Sequence, residues 1–175
     1  MKLSSLVPAI INALPSGRVE GRKRLQKLVH LLQLSGADVS AEFEILHYGP
    51  FSTELASTVD DLTYEGKIKE DVEPVGVYGT YQYVYRLGDP STFIPELQDI
   101  DRALVRRLDE ASTVVLEIAS TIGFFESSGS DRKDALLQTK EIKPKKAIDS
   151  VLQEASKVLE MIEETNNIRQ VKASA

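Results

Sequence analysis

Five cations fall within ten residues near the start of the chain: Arg18, Arg22, Lys23, Arg24 and Lys27, opposed there only by Glu20. Charged stems at helical spacing can hold phosphates, because several of them can point the same way. Arg22 and Gln26 share one helical face, and Lys23 and Lys27 the neighbouring one. Two readings stay open, a phosphate clamp on nucleic acid and a solvated basic face. A second set suits contact rather than charge. Tyr48 and Phe51 flank Gly49-Pro50, in a turn whose residues all have conformational roles and which reads first as structural, and Tyr78, Tyr81, Tyr83 and Tyr85 crowd a later stretch. Tyrosine joins apolar area to a polar tip, which is the chemistry of protein-binding surfaces. Alternation puts Tyr81, Tyr83 and Tyr85 on one strand face. Two of these tyrosines are expected to pack inward and Tyr78 to be exposed.

Catalytic sets are harder to assemble. His30 and His47 are the two histidines, and neither has a second ligand at metal spacing. Ser52, His47 and Asp60 can be drawn as a triad, but no nucleophile elbow surrounds Ser52, which better fits a helix cap. The run G-R-V-E-G-R-K-R lacks the spacing of a phosphate-binding loop. The absence of cysteine removes disulfides, thiolate metal sites and cysteine nucleophiles together. A non-enzyme with no cofactor and no metal site is the expectation.

The elements that must position these residues follow from periodicity. Leu3, Val7, Ile10, Ile11 and Leu14 make one face of a first helix, stopped by Pro15-Ser16-Gly17. Leu25, Leu28, Val29 and Leu32 line a second helix that ends at Ser35-Gly36. Glu42 to Tyr48 alternates as a short strand, and Gly49-Pro50 reads as the turn after it. Ser52 caps a third helix with Leu55, Ala56, Val59 and Leu62 inward and Glu54 in its first turn. Lys67 to Val72 and Tyr81 to Leu87 read as a hairpin around Gly76 to Gly79.

Gly88-Asp89-Pro90 marks a boundary between a front unit, 1–88, and a helical extension, 89–175, packed on it. Leu97, Ile100, Leu104 and Leu108, then Val115, Ile118, Ala119 and Ile122, form stripes of one helix or two between 96 and 126. A segment from Arg132 to Lys140 leads to Pro144, placed in the first turn of a last helix that buries Ile148, Val151, Leu152, Ala155, Val158, Leu159 and Ile162. From about Thr165 the polar tail is expected to fray. The fold class is mainly α with a small β component. Its front half has the winged-helix order of helices, short strand and hairpin wing, and a helical subdomain follows.

Charge separates the functional classes. The net charge is -6, and the chain outside residues 18–27 is clearly acidic. The third helix exposes Glu54, Asp60, Asp61 and Glu65 without a lysine or arginine, which repels phosphates where a winged helix reads bases. No apolar run approaches a membrane span, and MKLSSLVPAIINAL reads as a mature helix rather than a leader.

The residues GRKRLQKLVHLLQ followed by HYGPFSTEL resemble the opening of the YwgA-like proteins and the related SocA-like Panacea domains. The matching positions are Arg24, Leu25, Gln26, Lys27 and Leu28, then Tyr48, Gly49, Pro50, Phe51 and Ser52. The Lys143-Pro144-Lys145 step is similar in style. The resemblance implies a prokaryotic cytoplasmic protein without known enzyme chemistry, and Panacea domains are associated with neutralising toxins by direct contact. The expected function is therefore a regulatory protein that binds a protein partner, antitoxin- or adaptor-like, through Tyr48, Phe51 and Tyr78. The alternative is a DNA-binding transcriptional regulator using Arg18, Arg22, Lys23, Arg24 and Lys27. Homodimerisation through the helical half, by analogy with winged-helix regulators, stays open.

Overall fold

The computed structural model describes residues 1–76, 79–89 and 94–174. The chain is mainly helical with a small antiparallel β component. The helix α1 (Leu3–Ala13) leads into a three-residue strand β1 (Arg18–Glu20) and then α2 (Arg22–Leu34). A miniature hairpin, β2 (Glu44–Leu46) and β3 (Gly49–Phe51), feeds α3 (Thr53–Tyr64). A longer hairpin follows, β4 (Ile68–Val75) and β5 (Thr80–Leu87). Four helices complete the described chain: α4 (Asp99–Asp109), α5 (Thr113–Ser127), α6 (Arg132–Ile142) and α7 (Asp149–Ala173).

The second helix is the axis of the molecule. Residues 24–32 are buried without interruption, and α4, α5, α7 and β3 all pack against α2. Its apolar stripe alone would leave the polar positions in solvent; the later helices cover those too. Leucines and valines of α1, α2 and α3 join those of α4, α5 and α7 in one continuous core. The expected boundary near residue 88 is therefore a change of element type within a shared core. The turn between α4 and α5 is fastened by Arg24, which donates to the backbone oxygens of Asp109 and Ala111 at 2.5 and 2.9 Å and to Asp109 Oδ1 at 3.0 Å. A cation at the C-terminal end of α4 also complements the negative pole of that helix.

Several expectations hold in detail. Ser52 Oγ accepts the Leu55 N–H and caps α3. The stripes between 96 and 126 are two helices, α4 and α5, and the latter is capped by Ser112 accepting the Val115 N–H. Others are corrected. The strand expected over Glu42–Tyr48 is three residues long and pairs with Gly49–Phe51, with Leu46 opposite Gly49. The turn is thus His47-Tyr48, while Gly49 and Pro50 lie in β3. Pro144 lies in the connection after α6, and α7 begins five residues later, leaving Ile148 exposed at its cap. The tail is helical to Ala173. Thr165 is buried there, and Arg169 bonds Asp101 and the Ser35 carbonyl.

β1 went unforeseen. It pairs with β5, Val19 opposite Tyr85, so the sheet order is β1-β5-β4.

Candidate binding pocket

The α2 helix, the β2–β3 turn and α3 enclose a pocket of about 320 Å³, with Tyr85 of β5 at one side. Its walls are largely apolar: Leu25 from α2, Leu46 and Phe51 from the small hairpin, and Leu55, Ala56 and Val59 from α3. Leu25 and Leu55 are buried and form its floor, whereas Leu46 and Tyr48 are exposed at its mouth. Gln26 fixes the geometry from below. Its side-chain oxygen accepts the Ser52 N–H at 2.9 Å and its amide donates to the Ser52 carbonyl at 3.0 Å. The pair satisfies two buried backbone groups at the junction of β3 and α3.

The turn His47-Tyr48 is gripped by lysines from both halves of the chain. Lys27, only 2% exposed, donates to the Pro50 carbonyl, and Lys143 donates to the His47 carbonyl. The Lys23 ammonium stands 3.1 Å from the Tyr48 ring centroid, and Lys146 lies 5.3 Å from the same ring. Both cations are attracted to the negative π-face of the Tyr48 ring. A single carboxylate, Glu117 on α5, answers this cluster. It is 2% exposed, 3.0 Å from Lys143 and 2.7 Å from Lys146. Burial pulls the Lys27 ammonium down to about 8; the nearby Glu117 offsets part of this, and Lys143, Lys146 and Lys23 add to it.

The basic segment is dispersed rather than gathered. Arg18 pairs with Glu20 and Glu73 on the sheet. Arg22 chelates Glu70 with contacts of 2.8 to 3.1 Å, and its guanidinium covers the Tyr83 ring at 4.1 Å. The bond to Glu70 raises the Arg22 guanidinium well above its ordinary value. Burial pushes the Glu70 carboxyl up, but the bonds from Arg22 and Tyr85 outweigh it and leave the group below its usual range. Tyr85 is held above its ordinary value by burial and by its bond to Glu70. Arg24 and Lys27 are buried. Lys23 is exposed and has no carboxylate partner among the described residues. Of the two readings left open for this segment, a phosphate clamp would need its cations free on one face, whereas four of the five have partners within the molecule.

Tyr48 is 43% exposed and Phe51 half-buried, and both line the pocket. Tyr78 lies outside the described residues. Of the described hairpin tyrosines only Tyr85 is buried, at 1% exposure, whereas Tyr81 and Tyr83 are 69% and 42% exposed. This corrects the expectation of two inward tyrosines: β5 projects beyond the core, so its shared face is covered only at the base. Opposite Tyr83 stands exposed Val72, and opposite Tyr81 stands Pro74.

The triad drawn on paper does not assemble. Ser52 is committed to α3 and Gln26, while His47 and Asp60 only line the pocket. His30 is buried, 2.8 Å from Ser120 Oγ and packed at a tilt against Phe43, with ring centroids 4.5 Å apart. Burial, aided by the charge of Lys27, lowers its imidazole to about 3, so it is neutral. Among the described residues no cluster of three or more potential ligands is placed to hold a metal ion, and no helix is long and apolar enough to cross a membrane.

Glu117, Lys143 and Lys146 escaped sequence reasoning. A lone glutamate within TVVLEIAS was the available signal, since a buried carboxylate demands cations.

The chain is similar to the uncharacterized protein YwgA of Bacillus subtilis (strain 168), with 28% identity over 157 residues that span 87% of this chain and 91% of that one. No protein-family model matches the chain, and no solved structure matches it significantly.

Proposed function

We propose that this YwgA-like chain is a non-enzymatic, cytoplasmic regulatory protein that acts by holding a protein partner, antitoxin- or adaptor-like in the manner of Panacea domains. One observation carries the reading. The apolar pocket opens between exposed Leu46 and Tyr48, and through Tyr85 and Arg22 it continues onto the uncovered strip of Tyr83, Tyr81 and Val72. Contiguous exposed apolar surface of this kind is what partners cover. A winged-helix front half is part of the same proposal. It is supported by the succession α1, β1, α2, α3, β4, β5 and by a first strand that joins the hairpin through β5.

DNA binding is the alternative. The winged-helix order favours it, and the internal pairing of Arg18, Arg22 and Arg24 weighs against it, as do the exposed carboxylates Glu54, Asp60, Asp61 and Glu65 on α3.

The deciding experiment is affinity capture from the native host, with wild type against Tyr48→Ser and Tyr81→Ser. A stoichiometric partner retained by wild type and lost from both variants is the expected result. DNA from around its own gene, bound tightly at low salt and released steeply as salt rises, would replace this reading with the alternative.

A further inference from the structure

We infer that the pocket between α2, α3 and the β2–β3 turn is a site for a small amphipathic anion, an apolar body carrying one carboxylate, with the body on Leu25, Leu55 and Val59 and the carboxylate at Lys23. This goes beyond the protein-binding reading and does not depend on it. Three observations lead there.

The first is shape. A volume of about 320 Å³ lies at the lower end of the range for small-molecule sites, about 300–1,000 Å³, and suits a compact ligand rather than a run of peptide. The second is charge. Lys23 and Lys27 both line the pocket, and neither has a carboxylate within ion-pair distance among the described residues. Arg22 is already neutralised by Glu70. Asp60, on the α3 wall, is the opposing charge, so the lining keeps a positive balance. The third is the buried state of Lys27. Its ammonium bonds the Pro50 carbonyl and is offset only in part by Glu117, which is paired with Lys143 and Lys146, so an anion in the pocket would complete the compensation. Lys143 and Lys146 do not compete for that anion, because Glu117 already holds both.

The Lys23 ammonium, with no carboxylate partner among the described residues, rests on the Tyr48 ring at the mouth of the pocket. A carboxylate there replaces bulk water as the partner of an accessible cation, while the apolar chain leaves water entirely. Both contributions favour binding, and the charged one sets selectivity against neutral or cationic ligands of the same length.

The test is a titration of the isotope-labelled full chain, followed by amide chemical shifts, with octanoate, octanol and octylammonium in turn. Octanoate should shift the amides of residues 46–51 and of the facing turns of α2 and α3 in a saturable way. Octanol should bind at least about tenfold more weakly, and octylammonium more weakly still. Lys23→Gln, an exposed position, should weaken octanoate about tenfold and leave octanol unchanged, a split that mere loss of structure would not produce. Equal binding of octanoate and octanol, shifts located away from the pocket, no saturable shift, or an equal loss for both ligands in Lys23→Gln would each overturn the assignment. Partner capture by wild type is read separately, so failure here leaves the protein-binding reading standing on its own experiment.

Discussion

The Glu117 carboxylate and the Lys143 ammonium meet at 3.0 Å, both almost wholly withdrawn from water, and join α5 to the segment that follows α6. Lys146 adds a second contact at 2.7 Å, and Lys27 feels the same carboxylate from α2. One anion thus pairs with two lysines and partly offsets the burial of a third that is more than a hundred residues from them in sequence.

Glu117→Gln keeps the shape and removes the charge. Lys143 is then buried without compensation, and breaking such a buried pair costs about 3–5 kcal/mol. The urea midpoint should fall accordingly. The deficit should shrink as the pH is raised past about 8, where Lys27 loses its proton and no longer needs an anion. A variant whose deficit is the same at pH 7 and pH 10 would refute the electrostatic account.

Gly49→Ala combines two penalties. Its φ of +81° is a left-handed conformation, and a Cβ built there would stand 2.7 Å from Thr121 Oγ1. Thr121 cannot yield freely, since its hydroxyl donates to the Glu117 carbonyl at 2.7 Å. The conformational part is worth roughly 1–2 kcal/mol, and the overlap about 1–3 kcal/mol more. Thr121→Ala in the Gly49→Ala background should recover the second part and leave the first. Thermal unfolding of the two single variants and the double variant measures both.

His30 makes the fold acid-sensitive. Its pKa falls from an ordinary 6.5 to about 3 on folding, so the unfolded chain binds the extra proton first. Stability is full above pH 6.5 and declines as the pH drops towards 3. In wild type the His30 ring should stay neutral by NMR down to about pH 4. His30→Phe should flatten this part of the stability profile, although it forfeits the contact with Ser120 at all pH values. A ring that titrates near 6 in the folded protein would contradict the burial described.

The sequence displayed what is local. Apolar spacing located the second and third helices, and Ser52 announced itself as a cap because capping is a matter of three residues. Arg-Val-Glu carries no strand pattern; β1 exists because β5 lies beside it, more than sixty residues away. The end of α7 looked like a fraying tail for the same reason. What holds it is Arg169 reaching Asp101 and Ser35, neither of which is near in sequence.

The basic segment was the hardest to read. Cations are ordinarily solvent-facing, so Arg24 and Lys27 invited a surface interpretation. Nothing around residue 24 reveals that Asp109 and Ala111 will cover it. The tyrosine strip was readable in its alternation but not in its depth, because depth depends on where the helices behind the hairpin stop.

The buried polar residues of α2 also impose an order in time. Arg24 finds its partners at 109–113, Lys27 its anion at 117, and His30 its hydroxyl at 120. During synthesis from the N-terminus, the central helix is made long before any of these emerges. Until α5 has left the ribosome, the nascent front half carries an open apolar flank studded with cations that have nothing to pair with. The burial of Arg24, Lys27 and His30 is therefore complete only when the second half arrives to close over the first.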